Sequence, residues 1–264
     1  SFTSAHHIGS CLTLTIEMTV PDVCKFGSEI PQESTIIESK VVESPMLSGT
    51  VLLAEDHEDN RKLIVMMLTK MGLTVVEAHN GEKAVEQAML NDFDLILLDI
   101  QMPVMDGLQA REMMDQIGVA APIIALTANA MKHEVDHYKE VGFDDYLAKP
   151  INRSQFIKTV AFYLGQDSKV AMAEEEDPFD NSAFEQMKKN YIENLQYEVE
   201  QLIKYTEQKN YKQIARISHI IKGTAGNFGF DDATRIAGDI ESKARENKTA
   251  SDLVKQLFGY TAQL

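Results

Sequence analysis

The chain has 264 residues, of which 44% are hydrophobic and 7% aromatic, and it carries a formal net charge of −16 at pH 7. A chain of this length holds one or two domains, and it contains no apolar run long enough to span a membrane. The negative charge repels phosphate groups, so we expect no nucleic-acid partner and no direct membrane contact. Two cysteines, Cys11 and Cys24, are too few for a disulfide scaffold and favour a reducing compartment.

The sequence of the first 48 residues predicts a short strand followed by a linker. Apolar residues alternate with polar ones between positions 12 and 18, which predicts a half-buried strand within residues 1–20 and not a signal peptide. Residues 21–48 carry three prolines with serines and acids and show no sustained period, which predicts a linker. Because the chain does not begin with Met, we expect it to be cut from a longer protein.

Strand-like and helix-like segments alternate between residues 49 and 165. The strand-like runs are TVLLAED, LTVVEAH, FDLILLDI, PIIALTAN and DDYLAK. Helix-spaced apolar residues between these runs predict helices that cover both faces of a parallel sheet. We therefore predict a doubly wound α/β domain with five parallel strands.

Acidic, hydroxyl and basic side chains stand where these predicted strands end. In chain order, these residues are Glu55 and Asp56, Asp99, Thr127, and Lys149. The carboxyl ends of parallel strands share one edge, where ligands bind. Crowded carboxylates favour a hard cation such as Mg²⁺, and the nearby lysine suggests a phosphate ligand. The alternative is that each acid only closes a strand or caps a helix, as Asp59 is placed to do before Arg61.

The character of the sequence changes after an acidic linker at residues 166–179. Between residues 180 and 264, apolar side chains recur at the spacing of an amphipathic helix. We predict a four-helix bundle over this range, preceded by a short helix.

His219 has an unusual setting within the predicted helix over residues 211–228. A helical projection places the apolar residues in one arc and His219 opposite them, on a solvent face. Gly223 and Gly226 lie beside it, although a glycine within a helix costs about 0.5 to 1 kcal/mol relative to alanine. Close approach by another surface would explain both glycines. The alternative is a surface histidine that precedes a glycine helix stop.

The α/β segment resembles the receiver domains of two-component signalling. The motifs LLAED, LILLDIQMPVMDG, ALTA and YLAKP carry the resemblance, in order and with ordinary spacing. It implies a flavodoxin-like sheet with strand order 2-1-3-4-5. It also implies that Asp99 accepts a phosphoryl group and that Asp56 binds Mg²⁺. Glu55 would reach this ion through water, and Gln101 through its backbone carbonyl.

The same resemblance assigns roles to three further side chains. Lys149 and Thr127 would contact the oxygens of the phosphoryl group. Tyr146 would be the switch aromatic, which turns inward as Thr127 moves. A haloacid-dehalogenase-type phosphatase uses similar parts, but its signature needs a second acid at the position of Gln101.

The string HIIKGTAGNFG and the helical period around it resemble histidine phosphotransfer domains. The resemblance implies that His219 is phosphorylated and that Lys222 places a positive charge near the phosphoryl oxygens. Gly223 and Gly226 would admit the active-site rim of the partner. Glu241, from the following predicted helix, is a possible polar neighbour of the histidine.

The opening string HHIGSCLTLTIEM resembles the closing strand of a histidine kinase ATP-binding domain. Together, the three resemblances imply the last part of a hybrid sensor kinase, with kinase, receiver and phosphotransfer domains in that order. We expect a cytoplasmic segment of a parent anchored in the bacterial inner membrane. No asparagine box or glycine-rich ATP lid is present, so we expect no autophosphorylation from ATP by this segment alone.

The expected function is a phosphorelay. The group would pass from an upstream kinase phosphohistidine, in the same or a paired chain, to Asp99, then to His219, then to a separate response regulator. Reverse flow, in which His219 drains a regulator through Asp99 to water, uses the same residues. A non-catalytic docking module for response regulators is the alternative from another class. A DNA-binding regulator is disfavoured because the chain lacks a basic recognition helix.

Overall fold

A computed structural model describes residues 2–5, 9–12, 47–129, 131–166 and 181–264. The chain divides into two compact units, residues 1–42 and residues 43–264. In the first unit, β1 (Phe2–Ala5) and β2 (Gly9–Leu12) pair in antiparallel fashion. The sequence did not predict β1, and most of the strand predicted up to position 18 lies outside the described residues.

Strands and helices alternate along the first part of the second unit. They are β3 (Thr50–Ala54), α1 (Glu58–Lys70), β4 (Thr74–Ala78), α2 (Gly81–Leu90), β5 (Leu95–Asp99), α3 (Gly107–Gln116), β6 (Ile123–Thr127), α4 (Lys132–Val141), β7 (Asp145–Ala148) and α5 (Arg153–Tyr163). Neighbouring strands pair in parallel in the order β4-β3-β5-β6-β7. The predicted five-stranded sheet with order 2-1-3-4-5 is confirmed.

The central strand β5 is buried along its whole length. Its successive side chains enter apolar clusters on opposite faces of the sheet, so that Leu97 packs in one and Leu98 in the other. Burial on both faces explains the unbroken apolar run of this strand. Asp99 ends the strand and is only 4% exposed, so the fold itself holds a carboxylate at the edge of the sheet.

Four helices form the C-terminal part of the described chain. They are α6 (Asn181–Glu207), α7 (Tyr211–Thr224), α8 (Asp231–Arg245) and α9 (Ser251–Thr261), with a 3₁₀ turn at Ala225–Phe228 after α7. Tyr191 of α6 stacks on Phe228 with ring centroids 4.5 Å apart. The predicted four-helix bundle is confirmed, and the short helix predicted before it lies outside the described residues. No helix in the parts of the chain that the structure describes is long and apolar enough to cross a bilayer.

The bundle packs against the α/β domain. One apolar cluster runs from the α1 and α5 side of the sheet into the core of the bundle. The carboxyl edge of the sheet and the His219 face of α7 therefore belong to one packed body.

Candidate functional site

Three carboxylates meet at the carboxyl edge of the sheet. Glu55 and Asp56 follow β3, and Asp99 ends β5. One oxygen from each of the three lies within 4.8 Å of the others. An all-oxygen set of this kind suits a hard cation such as Mg²⁺. The structure thus brings together three of the four residues that the sequence predicted as metal ligands.

Lys149 binds two members of this carboxylate cluster. Its Nζ atom donates to Glu55 Oε2 and to Asp99 Oδ2, each at 2.6 Å. Burial lowers the pKa of the Lys149 ammonium, but the charges of Asp99 and Glu55 outweigh burial and raise it above its usual value. Lys149 therefore stays protonated beside the carboxylates.

The ammonium of Lys149 does not neutralise all three carboxylates of the cluster. Burial raises the pKa of Asp99 to about 6, against the opposing charge of Lys149. Burial and the charge of Asp99 also raise the pKa of Asp56. A further cation would favour the ionised form of both carboxylates, so the residues present fit a metal ion.

The side chain of the fourth predicted ligand, Gln101, is exposed. This exposure is compatible with the prediction, because only the backbone carbonyl of Gln101 was expected to bind the ion. Its backbone N–H donates to Asp99 Oδ1 at 3.2 Å. This hydrogen bond fixes the orientation of the Asp99 carboxylate.

The Thr127 hydroxyl is held by α4 and the loop before it. Thr127 Oγ1 lies 3.0 Å from the Tyr138 hydroxyl, donates to the Asn129 carbonyl and accepts from the Asn129 N–H, both at 3.0 Å. Tyr138 is buried. The sequence did not single it out because an aromatic residue in an amphipathic helix is usually a core residue. Tyr146 is half-buried on β7, where its backbone pairs with Ala125.

In the bundle, His219 of α7 faces Glu241 of α8. His219 Nδ1 lies 3.0 Å from Glu241 Oε1, Lys222 Nζ donates to Oε2 at 3.3 Å, and Arg245 Nη2 donates to Oε1 at 2.7 Å. Burial raises the pKa of Glu241, but the hydrogen bond from His219 and the Arg245 and Lys222 donors outweigh burial and lower it to about 2. Because an ionised carboxylate only accepts, we assign the proton of the neutral ring to Nδ1 and the lone pair to Nε2.

Replacing Glu241 by glutamine removes the charge that binds Arg245 and is expected to destabilise α8 by about 1 to 2 kcal/mol at pH 7. The loss is no larger because the Arg245 side chain is half-exposed and solvent screens this ion pair. The pKa of Glu241 is lowered from 4.5 to about 2 in the folded chain. Its ionised form therefore stabilises the fold above pH 4.5, and this contribution is lost as the pH falls toward 2. The wild-type chain should lose this increment on acidification, and the Glu241→Gln chain should not.

Amide hydrogen exchange in α8 at neutral and acid pH measures both effects. Asp232→Asn in the same helix is the control, because its ion pair with Arg235 is exposed on both sides. Equal pH dependence of α8 opening in the wild-type and Glu241→Gln chains would contradict the assigned role of this carboxylate.

The two groups of side chains face one cavity of about 890 Å³. Asp99 and Lys149 line it from the sheet, and His219, Lys222 and Glu241 line it from the bundle. His219 was predicted on a solvent face, and that prediction is wrong. Its side chain is only 18% exposed, contacts Glu241 and lines the cavity that the bundle shares with the α/β domain. Within the described residues, the cavity lining includes neither Thr127 nor Tyr146.

Gly223 and Gly226 lie where the α/β domain comes closest to the bundle. A Cβ atom on Gly226 would lie 2.6 Å from the Cβ and Cγ atoms of Pro150, far inside contact distance. A Cβ atom on Gly223 would lie 3.6 Å from Lys149 Cδ, at ordinary contact distance. Another surface therefore does approach Gly226 closely, and this surface is the α/β domain of the same chain.

Polar side chains at the start of α1 join the two domains. Asn194 Nδ2 donates to Asp59 Oδ2 at 2.9 Å, and His57 Nε2 lies 3.1 Å from Glu198 Oε1. Burial lowers the pKa of His57, but Glu198 outweighs it and raises the pKa overall. The capping role predicted for Asp59 is wrong. The helix α1 begins at Glu58, so Asp59 lies inside it, and His57 holds the cap position without a side-chain hydrogen bond. These contacts were missed because a polar run after a strand gives no local sign of its partner.

Comparisons with known proteins divide the chain in the same way. Residues 51–161 match the family model of the response regulator receiver domain, and residues 186–263 match that of the Hpt domain. The chain is 38% identical over 152 residues to the signal transduction histidine-protein kinase BarA of Escherichia coli K12, which covers 56% of this chain and 16% of that protein. It is 39% identical over 120 residues to the sensor histidine kinase GacS of Pseudomonas protegens, covering 44% and 13%.

A similar solved structure is the receiver domain of a sensor histidine kinase from Pseudomonas aeruginosa PAO1, which has a magnesium ion coordinated in its active site cleft. It is 34% identical, covers 45% of this chain and 99% of that chain, and has a TM-score of 0.43. The chain spans only 7% to 17% of the length of the first curated relatives that it matches.

Proposed function

Because the chain is a phosphorelay segment in which a receiver domain, residues 51–161, precedes an Hpt domain, residues 186–263, we propose that it transfers a phosphoryl group between Asp99 and His219 of the same chain. The shared cavity carries this proposal, since both nucleophiles line it. Holding two reacting groups in one cavity replaces a bimolecular encounter by an intramolecular step.

The forward step starts from an acyl phosphate on Asp99. The lone pair of His219 Nε2 attacks the phosphorus atom, the P–N bond forms as the P–O bond to Asp99 breaks, and Asp99 leaves as a carboxylate. Lys149 Nζ, which contacts Asp99 Oδ2, stabilises the negative charge that returns to this carboxylate. The reverse step follows the same path.

Glu241 stabilises the product of the forward step. The Nδ1 proton stays on the ring during transfer, so the phosphorylated imidazole carries a positive charge. The Glu241 carboxylate lies 3.0 Å from Nδ1 and opposes this charge at the atom where it develops. Lys222 and Arg245 offset the repulsion between this carboxylate and the incoming phosphoryl group.

The proposal includes Mg²⁺ at the carboxylate cluster. Glu55, Asp56 and Asp99 would hold it, together with the backbone carbonyl of Gln101. When bound, the ion would neutralise charge on the phosphoryl oxygens. The spacing of the carboxylate oxygens and the raised pKa values of Asp56 and Asp99 support this assignment.

The proposal also assigns partners. A kinase phosphohistidine would supply the group to Asp99, and the aspartate of a separate response regulator would receive it from His219, within a hybrid sensor kinase anchored in the bacterial inner membrane. The names of the curated relatives, which are signal transduction, sensor and hybrid histidine kinases, support a kinase parent. Because His219 lines the cavity that the two domains share, the proposal requires these domains to move apart before a separate receiver reaches the imidazole.

The test is the chemistry of the label that the chain acquires from labelled acetyl phosphate and Mg²⁺. An aspartyl phosphate is lost in base, whereas a phosphohistidine is lost in acid, so the two are separated by hydrolysis. The relay predicts both forms on the wild-type chain. A docking module without transfer predicts no phosphohistidine at all.

Replacing Tyr138 by phenylalanine is expected to speed the loading of Asp99 about fivefold, which corresponds to roughly one hydrogen bond of 1 kcal/mol. The reason is that the Tyr138 hydroxyl supplies one of the three hydrogen bonds that hold Thr127 Oγ1 in its present orientation, so its loss lowers the cost of turning Thr127 toward a phosphoryl oxygen on Asp99. Label uptake from acetyl phosphate measures the rate. Tyr163→Phe is the matched control, because its hydroxyl donates to the Asp144 carbonyl on the exposed side of the domain. Unchanged or slower uptake by the Tyr138→Phe chain would contradict this role.

A further inference from the structure

The carboxamide of Asn227 joins the bundle to two segments of the receiver domain, the first turn of α1 and the loop after β7. Its Oδ1 atom accepts from the Ile151 N–H at 2.6 Å, and its Nδ2 donates to Asn60 Oδ1 at 3.0 Å. The same nitrogen donates to the Gly223 carbonyl at 3.2 Å. The acceptor and both donor hydrogens of this amide are therefore engaged.

Both receiver segments that Asn227 contacts are linked to residues of the phosphoryl site. Asn60 donates its Nδ2 to Glu55 Oε1 at 3.4 Å, and Ile151 stands two residues after Lys149. A movement of Asn227 relative to either segment therefore changes the position of the bundle relative to the carboxylate cluster.

We propose that Asn227 is a positioning and specificity-determining residue for phosphoryl transfer between Asp99 and His219, an inference that rests on the proposed function. Asn227 stands eight residues after His219, on the turn that continues α7. Hydrogen bonds that fix Asn227 to the receiver thereby fix the approach of the imidazole to Asp99. Transfer is sensitive to this approach because misplacement by about 1 Å can cost two orders of magnitude in rate.

The same contacts make the bundle selective among receivers. A receiver needs a side-chain acceptor at the position of Asn60 and a free backbone N–H at the position of Ile151 to engage both ends of the Asn227 amide. A receiver that lacks the acceptor leaves a half-buried N–H of Asn227 without this partner, which is disfavoured. The receiver of this chain meets both requirements.

Asparagine at position 227 cannot be replaced by aspartate without loss. In an Asn227→Asp chain, one carboxylate oxygen still accepts from Ile151, but the other faces Asn60 Oδ1. Flipping the Asn60 amide relieves that contact and turns its oxygen toward Glu55 instead. Either arrangement places two acceptors together with no proton between them.

The test measures the first-order rate at which label moves from Asp99 to His219 in the full chain, after loading with acetyl phosphate and Mg²⁺. Asn227→Ala should slow this rate about tenfold and Asn227→Asp about a hundredfold. The matched control is Asn210→Asp. Asn210 caps α7 by accepting from the Gln213 N–H, and aspartate caps a helix equally well. Its rate should equal that of the wild type.

A double-mutant cycle separates positioning from a structural fault in the bundle. Asn60→Ala and Asn227→Ala both remove the hydrogen bond between these two side chains, and each also removes bonds that the other leaves in place, so the double variant should be slowed by less than the product of the two single effects. A fault confined to the bundle would instead multiply with the effect of Asn60→Ala. Circular dichroism establishes that each chain is folded before its rate is compared.

Two outcomes separate this inference from the function on which it rests. If Asn227→Ala transfers label as fast as the wild type, or if the two alanine effects multiply, the role of Asn227 is overturned and the relay stands. If the wild-type chain forms no phosphohistidine, the relay itself fails. Slow transfer by both Asn227 variants with a non-multiplicative cycle supports the inference.

Discussion

A His219→Gln chain loaded with acetyl phosphate and Mg²⁺ is expected to hold all of its label on Asp99. Glutamine keeps a polar side chain near Glu241 but has no nitrogen lone pair that can attack phosphorus. The acyl phosphate then leaves only by hydrolysis or by return to a donor. In an Asp99→Asn chain we expect neither form of label, because the small donor loads the aspartate first.

Base and acid hydrolysis of the labelled chains measures both expectations. His137→Gln is the matched control for the histidine change, since this histidine lies on α4 with a side chain that is 52% exposed. The control should carry label on both sites as the wild type does. Acid-labile label in the His219→Gln chain would show that another histidine accepts the group and would contradict the assigned site.

Replacing Gly226 by alanine is expected to slow transfer from Asp99 to His219 about a hundredfold. The added Cβ atom would lie 2.6 Å from the Pro150 ring, so the domains must separate by roughly 1 Å, and displacement on this scale costs about two orders of magnitude in rate. The ring belongs to the residue that follows Lys149, so the added methyl group pushes on the segment that carries this lysine.

Gly259→Ala is the matched control, because a Cβ atom there meets nothing within 4 Å and the residue lies within α9. Loading of Asp99 by acetyl phosphate should be similar in both variants, since it does not require contact between imidazole and carboxylate. A Cβ atom on Gly226 would also lie 3.1 Å from Thr234 Oγ1, so hydrogen exchange in the bundle is measured alongside the rate. Transfer at the wild-type rate in a folded Gly226→Ala chain would contradict the docked arrangement.

The carboxylate cluster could be predicted from sequence because its signal is local. Buried strands are apolar throughout, so a polar residue at the end of such a run marks the edge of the sheet, as Asp99 does after LILL. Parallel pairing then brings Glu55, Asp99 and Lys149 to one edge without further information. The strand order followed from the resemblance and not from the spacing.

The surface that covers His219 could not be predicted because it depends on contacts between distant parts of the chain. The helical projection correctly separated the histidine from the apolar arc of α7, but it could not show that Pro150 lies against Gly226. In the sequence, nothing distinguishes Asn227 and Asn60 from other polar residues, because their hydrogen bond forms only where the two domains pack together. Glu241 was placed beside His219 by resemblance alone, and its ion pairs with Lys222 and Arg245 emerged only from the packing of α7 on α8.

The docked arrangement also sets an order of events. Under the proposed relay, the face of α7 that receives the group from Asp99 would also deliver it to a separate regulator. Loading within the chain and delivery outside it therefore alternate. Any change that strengthens the contacts of Asn227 or His57 should speed the first step and delay the second.

The dependence of the transfer rate on protein concentration tests the central claim most directly. Labelled wild-type chain is diluted over a wide series, and the movement of label from Asp99 to His219 is followed at each concentration. Transfer inside one chain predicts a rate constant that does not change with dilution, and it predicts little exchange of label when Asp99→Asn and His219→Gln chains are mixed. A rate that falls in proportion to concentration, with efficient exchange in the mixture, would contradict it.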